Sequence, residues 1–254
     1  MSRRIFITGG GSGIGSGLAK RFLSLGDKVA VTDVDQAALE VLKISHPEVL
    51  TFQADASSEV EMRAVFAQLE ELWDSVDVVC ANAGTGGPAG RIEELDLGAA
   101  SACIEVNLMG AMITCAWAAK RMRAQGAGLI VLTSSTAGQH GYPFRAPYAA
   151  AKWGIVGLTK TLAMELGEAG VRVNAICPGA VEGDRMDRVV ANEARAKGMS
   201  EQDVRAQYVT GVSLKTWVTV EDLADTVEWL ASPKASKISG QIIAIDGHTE
   251  TLNP

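Results

Sequence analysis

The amino-acid sequence predicts an α/β fold: a single doubly wound, Rossmann-type parallel sheet with helices on both faces. Three observations predict it. Strand-like apolar runs alternate with amphipathic helical stretches along the whole chain. No internal repeat, low-complexity segment or linker interrupts that alternation, so one domain over residues 1–254 is expected. Finally, the glycine, aspartate, asparagine and serine residues with chemical potential follow the carboxyl ends of the strands, the edge where such sheets hold ligands.

The elements follow in order. Ile5-Phe6-Ile7-Thr8 reads as a buried strand, and Gly9-Gly10-Gly11-Ser12-Gly13-Ile14-Gly15 follows at once. An amphipathic helix comes next, with Leu18, Ala19, Phe22 and Leu25 on one face. In that context Thr8, Gly9, Ser12, Gly13, Ile14 and Gly15 are cofactor-binding candidates. Glycines let the backbone approach a pyrophosphate, and the helix start offers free N–H groups and the positive end of its dipole. A flexible surface turn is the alternative. Lys28–Thr32 reads as the second strand and ends in Asp33. A carboxylate about twenty residues past the glycines suits the hydroxyls of an adenine ribose and repels a 2′-phosphate. Val34 and Asp35 supply no arginine to hold one, so NAD is favoured over NADP. The competing helix-capping role of Asp33 can be filled by Asp35.

Further strands are expected at Val49–Gln53, Val76–Ala81, Leu129–Thr133, Val171–Cys177 and Ile242–Ile245. Further helices are expected at Glu59–Trp73, Leu97–Gln125, Tyr148–Glu168 and Val220–Leu230. The strand ends present Asp55, then Asn82-Ala83-Gly84, then Ser135, then Pro178-Gly179.

Tyr148 and Lys152 form a Tyr-x-x-x-Lys pair at the start of a helix-forming stretch, and a four-residue gap stacks them on one face. A phenol ionises near pH 10 in water, and an adjacent ammonium favours the phenolate. A tyrosine so tuned takes a proton from an alcohol or returns one to a carbonyl. Ser135, ahead of it, is placed to hydrogen-bond the reacting oxygen. The pair alone is a weak signal, which helix-surface patterning also produces.

Composition sets the bounds. A net charge of −7 argues against nucleic-acid binding and against an anionic membrane surface. Cys80, Cys103, Cys115 and Cys177 are scattered and read as buried thiols in a reducing compartment. His46, His140 and His248 have no ligand spacing, so no metal is expected. The N-terminus carries no signal-peptide pattern and no apolar run reaches membrane-spanning length, so a cytoplasmic protein is expected.

With these residues in place, the chain resembles the short-chain dehydrogenase/reductase family over essentially its whole length. The motifs are TGGGSGIG (Thr8–Gly15), DAS from Asp55, NAG (Asn82–Gly84), VN (Val106-Asn107), Ser135, YAAAK (Tyr148–Lys152), RVNAICPG (Arg172–Gly179) and IDG (Ile245–Gly247). The resemblance implies hydride transfer between a carbinol carbon and nicotinamide, with Asn107, Ser135, Tyr148 and Lys152 as catalytic residues. It implies that Asp55 and the Ala56 amide contact adenine and that Asn82, Ala83 and Gly84 line the cofactor. Lys152 would bond the nicotinamide ribose, and Asn107 would hold a water that relays protons; a buried amide satisfying backbone groups is the plainer reading of Asn107. Pro178, Gly179 and Val181 complete the cofactor-binding candidates. Gly183 stands where the family often carries a threonine that grips the carboxamide, and Ile-Asp-Gly-His-Thr-Glu replaces the more usual Asp-Gly-Gly ending.

Arg145 lies three residues before Tyr148, a position that faces substrate in the family. Its planar fork matches a carboxylate or sulfonate, so a small anionic hydroxy substrate is expected. The alternatives are a protein carboxylate partner or solvent. Arg185 and Arg188 are further substrate candidates, at the start of an expected two-helix lid, residues 183–215. Trp153 and Trp217 read as packing residues. The resemblance implies a homotetramer or dimer built by the long apolar helices. A neutral polyol or sugar dehydrogenase, a 3-oxoacyl reductase and a non-catalytic dinucleotide-sensing protein are the rival readings.

Overall fold

A computed structural model describes residues 2–252, except for some side chains in the 184–197 helix. Seven parallel strands run in the order β3-β2-β1-β4-β5-β6-β7. They are β1 (Arg4–Thr8), β2 (Lys28–Asp33), β3 (Leu50–Gln53), β4 (Val78–Ala81), β5 (Gly128–Thr133), β6 (Val171–Pro178) and β7 (Ile242–Ile245). The order reverses between β1 and β4, so the loops leaving these two neighbours diverge and open a crevice at their carboxyl ends. The expected doubly wound sheet is present.

Nine helices are described: α1 (Gly13–Ser24), α2 (Gln36–Ser45), α3 (Glu59–Leu72), α4 (Leu97–Ile104), α5 (Gly110–Gln125), α6 (Ala146–Leu166), α7 (Asp184–Lys197), α8 (Glu201–Thr210) and α9 (Val220–Ala231). Strand side chains alternate between the two faces. Ile5 and Ile7 pack with Leu18, Phe22, Leu39 and Leu223 of α1, α2 and α9. Phe6 points the other way, toward Met62, Phe66, Cys115 and Ile155 of α3, α5 and α6. There the Trp117 ring stacks on Phe66 at 4.6 Å and meets Phe6 edge-on at 5.5 Å.

Element ends differ from expectation by one or two residues. α6 begins at Ala146 because Pro147 sits in its first turn, where a missing N–H is harmless. The stretch Leu97–Gln125 is one continuous 29-residue helix, in which the wider π-turn Glu105–Met109 joins α4 to α5. Contrary to the sequence expectation, this helix is long and apolar enough to cross a membrane by length and composition alone. Here it packs on the sheet through Ala111, Cys115, Ala118 and Met122.

α7 and α8 pack on one another through Val190, Ala194 and Val204, with Tyr208 and Trp217 against them. Trp217 is therefore a packing residue, as expected. Trp153 is half exposed on α6.

Candidate active site

At Gly9, Gly10 and Gly15 the turn from β1 into α1 leaves no room for a side chain. Gly9 has φ +63°, and a Cβ there would sit 2.8 Å from Ala83 Cα. One on Gly15 would lie 2.0 Å from the Gly9 carbonyl oxygen. Ser12 precedes α1 without capping it, so the first N–H groups, from Gly13 and Ile14 onward, lack a side-chain acceptor. By contrast α2, α3, α4, α8 and α9 are capped by Asp35, Ser58, Asp96, Ser200 and Thr219. Bare backbone and an uncapped positive helix end fit a pyrophosphate.

Thr8 and Asn82 brace this turn. The Thr8 hydroxyl accepts the N–H groups of Asn82 (3.0 Å) and Ala83 (3.1 Å). The Asn82 amide donates to the carbonyls of Thr8 (3.2 Å) and Gly9 (3.1 Å) and accepts from the Thr133 hydroxyl (3.1 Å). Thr8 ties β1 to the end of β4, and Asn82 links both to Thr133 of β5.

Asp35 caps α2, as expected, by accepting from Ala38 N–H at 3.1 Å. Asp33 is not free of protein partners, however. Its carboxylate accepts Gly11 N–H at 2.9 Å and Asp35 N–H at 3.1 Å, which leaves lone pairs for ribose hydroxyls. Asp55 accepts the Ser57 N–H (2.8 Å) and hydroxyl (2.7 Å), a turn that delivers Ser58 to cap α3. Buried Ala56 follows it, against Gly110.

Beyond the ends of β4 and β5, Lys152 lies close to both Tyr148 and Asn107. Tyr148 lies in the first turn of α6, and Lys152 Nζ sits 5.6 Å from its ring centroid. Lys152 is buried, and its ammonium donates to the Thr133 carbonyl at 2.9 Å. Ser134 Oγ donates to the Lys152 carbonyl at 2.8 Å, pinning α6 to the end of β5. Gly138 permits that approach, since a Cβ there would lie 2.4 Å from Ser134 Oγ. Ser135 is half-buried, with its hydroxyl accepting from Ala137 N–H at 3.2 Å.

Asn107 projects from the π-turn and is buried. Its amide donates to the carbonyls of Thr85 (2.9 Å) and Cys103 (2.8 Å), while its Oδ1 is buried and accepts from no described group. A Cβ on Gly84 would lie 2.7 Å from Asn107 Oδ1 and 3.4 Å from Lys152 Nζ, so both atoms converge over that glycine.

Arg145 Nη2 donates to the Gly86 carbonyl at 2.8 Å, and its Nε is buried without an acceptor. The guanidinium carbon lies 5.8 Å from the Tyr142 ring centroid and 5.7 Å from that of Tyr148. No described carboxylate forms an ion pair with it. Arg188 is exposed on α7, and no described contact brings it to Arg145 or Tyr148. The Arg185 side chain lies outside the described residues.

Pro178 ends β6, and Gly179 N–H donates to the Ile245 carbonyl at 3.0 Å. Val181 pairs with Val218. Gly183 holds φ +137°, a conformation open to glycine, and starts α7 through its carbonyl. A threonine at that φ would be strained, which is a physical reason for its absence. His248, in the altered ending, takes φ +67°, and its N–H donates to the Asp246 carboxylate at 3.0 Å.

Sequence reasoning missed Thr85, Gly86, Cys103, Thr133, Ser134, Gly138 and Tyr142. Only Ser134, beside Ser135, had any local signal. Burial pushes the Cys103 thiol up, against opposing effects of Asn107, Lys152 and Arg145, so it stays neutral beside the site. A concavity of about 670 Å³ lies away from this site, beside Arg3, Asp27 and Arg172. Its guanidinium groups are engaged: Arg3 pairs with Asp27, and Arg172 donates to the Leu230 and Ala235 carbonyls.

This geometry agrees with comparison to known proteins. A family model described as enoyl-(acyl carrier protein) reductase matches residues 9–248. D-beta-hydroxybutyrate dehydrogenase of Rhizobium meliloti (strain 1021) is 32% identical over 254 residues, covering 97% of this chain and 98% of its own. Levodione reductase of Leifsonia aquatica is 33% identical over 252 residues, covering 96% and 93%. The structure of NAD+-bound xylitol dehydrogenase superimposes with a TM-score of 0.91 at 26% identity, covering 96% and 98%. The chain belongs to the short-chain dehydrogenase/reductase family. It is a nicotinamide-dependent oxidoreductase acting on CH–OH groups or the matching carbonyls.

Proposed function

We propose that this enzyme uses NAD and transfers a hydride between nicotinamide and a secondary hydroxyl on a small, polar, anionic metabolite carrying a carboxylate or sulfonate. The observation that carries the substrate reading is Arg145, a half-buried guanidinium with no described carboxylate partner, beside the Tyr148 ring. A desolvated cation of this kind favours an anion brought by the substrate. The Rhizobium relative, named for a hydroxy acid, is in keeping with that.

In this reading Gly9, Ser12, Gly13, Ile14 and Gly15 hold the pyrophosphate against the start of α1, and Asp33 takes the adenine ribose hydroxyls. Asp55 and Ala56 flank the adenine, and Asn82, Ala83, Gly84, Pro178, Gly179 and Val181 line the remainder. When bound, the nicotinamide supplies the hydride acceptor. Ser135 orients the substrate hydroxyl and Tyr148 removes its proton, while the Lys152 ammonium favours the phenolate. Asn107 Oδ1, beside Lys152, is the acceptor for a relay water. The 183–215 segment acts as a lid, with Arg185 and Arg188 joining Arg145 when it closes. Exposed Met109, Met112, Trp153 and Met164 support a homotetramer or dimer formed along α5 and α6. The free, buried thiols fit the cytoplasm.

The Arg145–Gly86 bond favours a second reading, in which Arg145 is structural and the substrate a neutral polyol. The test is the rate of NAD reduction across matched hydroxy-carboxylates, hydroxy-sulfonates and neutral polyols. Higher kcat/KM for the anions supports the first reading, and preference for polyols replaces it with the second.

A further inference from the structure

We infer that Arg145 is a positioning residue for the acid–base state of Tyr148: a second cation that acts with Lys152 to hold the phenol toward its ionised form. The inference rests on Tyr148 being the general base and is independent of the substrate's charge.

Two cations flank one ring. Lys152 Nζ lies 5.6 Å and the Arg145 guanidinium carbon 5.7 Å from the Tyr148 centroid, within the roughly 6 Å reach of cation–ring attraction. A phenolate carries a full charge where a phenol carries none, so each cation favours ionisation. Tyr148 also sits in the first turn of α6, at the positive end of the helix dipole.

The placement of Arg145 is over-determined. Its Nη2 is tied to the Gly86 carbonyl, and its own carbonyl accepts Ala149 N–H at 2.9 Å as α6 begins. Phe144 just before it holds φ +62°, a strained conformation kept by Gly90 N–H donating to the Phe144 carbonyl at 2.9 Å. Tyr142 covers a further approach to the guanidinium. A guanidinium does not lose its proton at working pH, so it is a constant field, whereas lysine can shift.

Cys103 from α4 is held neutral by burial, His140 lies at the start of the same loop, and no described carboxylate pairs with Arg145. A unit charge about 6 Å away, at an effective dielectric of about 20, shifts an ionisation by about two units; partial exposure and salt reduce this to about one.

The chain has 3 tyrosines, Tyr142, Tyr148 and Tyr208, so tyrosinate absorbance can be titrated on the protein without substrate. Tyr148→Phe identifies the step belonging to Tyr148. In Arg145→Gln that step is expected to move up by about one unit, and in Arg145→Lys to return most of the way, because a charge is restored. The lower limb of the kcat/KM profile for oxidation of a neutral alcohol shifts in the same order. An unmoved step in Arg145→Gln, or a Tyr148 step no lower than those of the other tyrosines in the parent protein, overturns the inference. Lost anion preference in Arg145→Gln with an unmoved step keeps the substrate reading and removes this one. A moved step with unchanged anion preference does the reverse.

Discussion

Replacing Thr8 by valine tests how the glycine turn is held. Valine has nearly the shape of threonine and no oxygen, and Thr8 is buried at the end of β1. Its hydroxyl accepts two backbone N–H groups, from Asn82 at 3.0 Å and Ala83 at 3.1 Å. Both lose their acceptor in Thr8→Val. An orphaned buried donor costs about 1–3 kcal/mol, and these two are part-buried, so the sum is about 2–3 kcal/mol. For a chain of this size that corresponds to a Tm lower by about 5–10 °C. Thr8→Ser is the control, keeping the oxygen and losing one methyl, worth about 1 kcal/mol. Thermal and urea unfolding of the three proteins should rank wild type above serine above valine. A valine variant as stable as wild type, with serine below both, would show that the methyl matters and the acceptor does not.

Asp33→Asn removes the charge while keeping an oxygen for Gly11 N–H. The kcat/KM for NAD should fall about tenfold or more, as expected for loss of a charged hydrogen bond, and that for NADP should rise. Parallel steady-state kinetics check this, and a wild-type enzyme that already prefers NADP sinks the assignment of Asp33. Burial pushes the Cys80 and Cys115 thiols from 9.0 up to about 12 in the folded chain. Unfolded chains release these protons near pH 9.0, so the stability the buried thiols contribute is complete below that value and is lost as pH climbs toward 12. The urea midpoint should therefore fall above pH 9, and fall less in the Cys80→Ala/Cys115→Ala protein. Equal slopes would remove the thiols from the explanation.

The parts legible in the sequence were those written in local pattern. The opposed burial of Phe6 and Ile5 or Ile7 is period-two strand alternation, and the Asp35 cap is a short-range preference. The glycines of the first turn were legible because a strand precedes them and a helix follows. What escaped were contacts closed over long separations. Nothing near Arg145 in the sequence points to the Gly86 carbonyl, 59 residues away. Gly138 carries no signal of its own until α6 is seen against Ser134. The π-turn was illegible for another reason. Widening one turn of an otherwise ordinary helix changes no composition, yet it sets where Asn107 points. Gly183 shows the converse: the missing threonine was visible, but the backbone φ of +137° that would strain one is revealed only by the fold.

One feature of the site bears on how its chemistry can vary while its geometry does not. Lys152 is held by the Thr133 carbonyl, Asn107 by those of Thr85 and Cys103, and Arg145 by that of Gly86. In each case the anchor is main chain, placed by β5, the loop that leaves β4, and α4. Substitution cannot remove a carbonyl, so these anchors survive any sequence change that leaves the backbone path intact. A side chain placed on that frame is aimed by it. That is consistent with a backbone superimposing at a TM-score of 0.91 on a protein only 26% identical. It also leaves room for change in side chains such as Arg145, which borrows the Gly86 carbonyl as a fixed acceptor while its Nε keeps no acceptor.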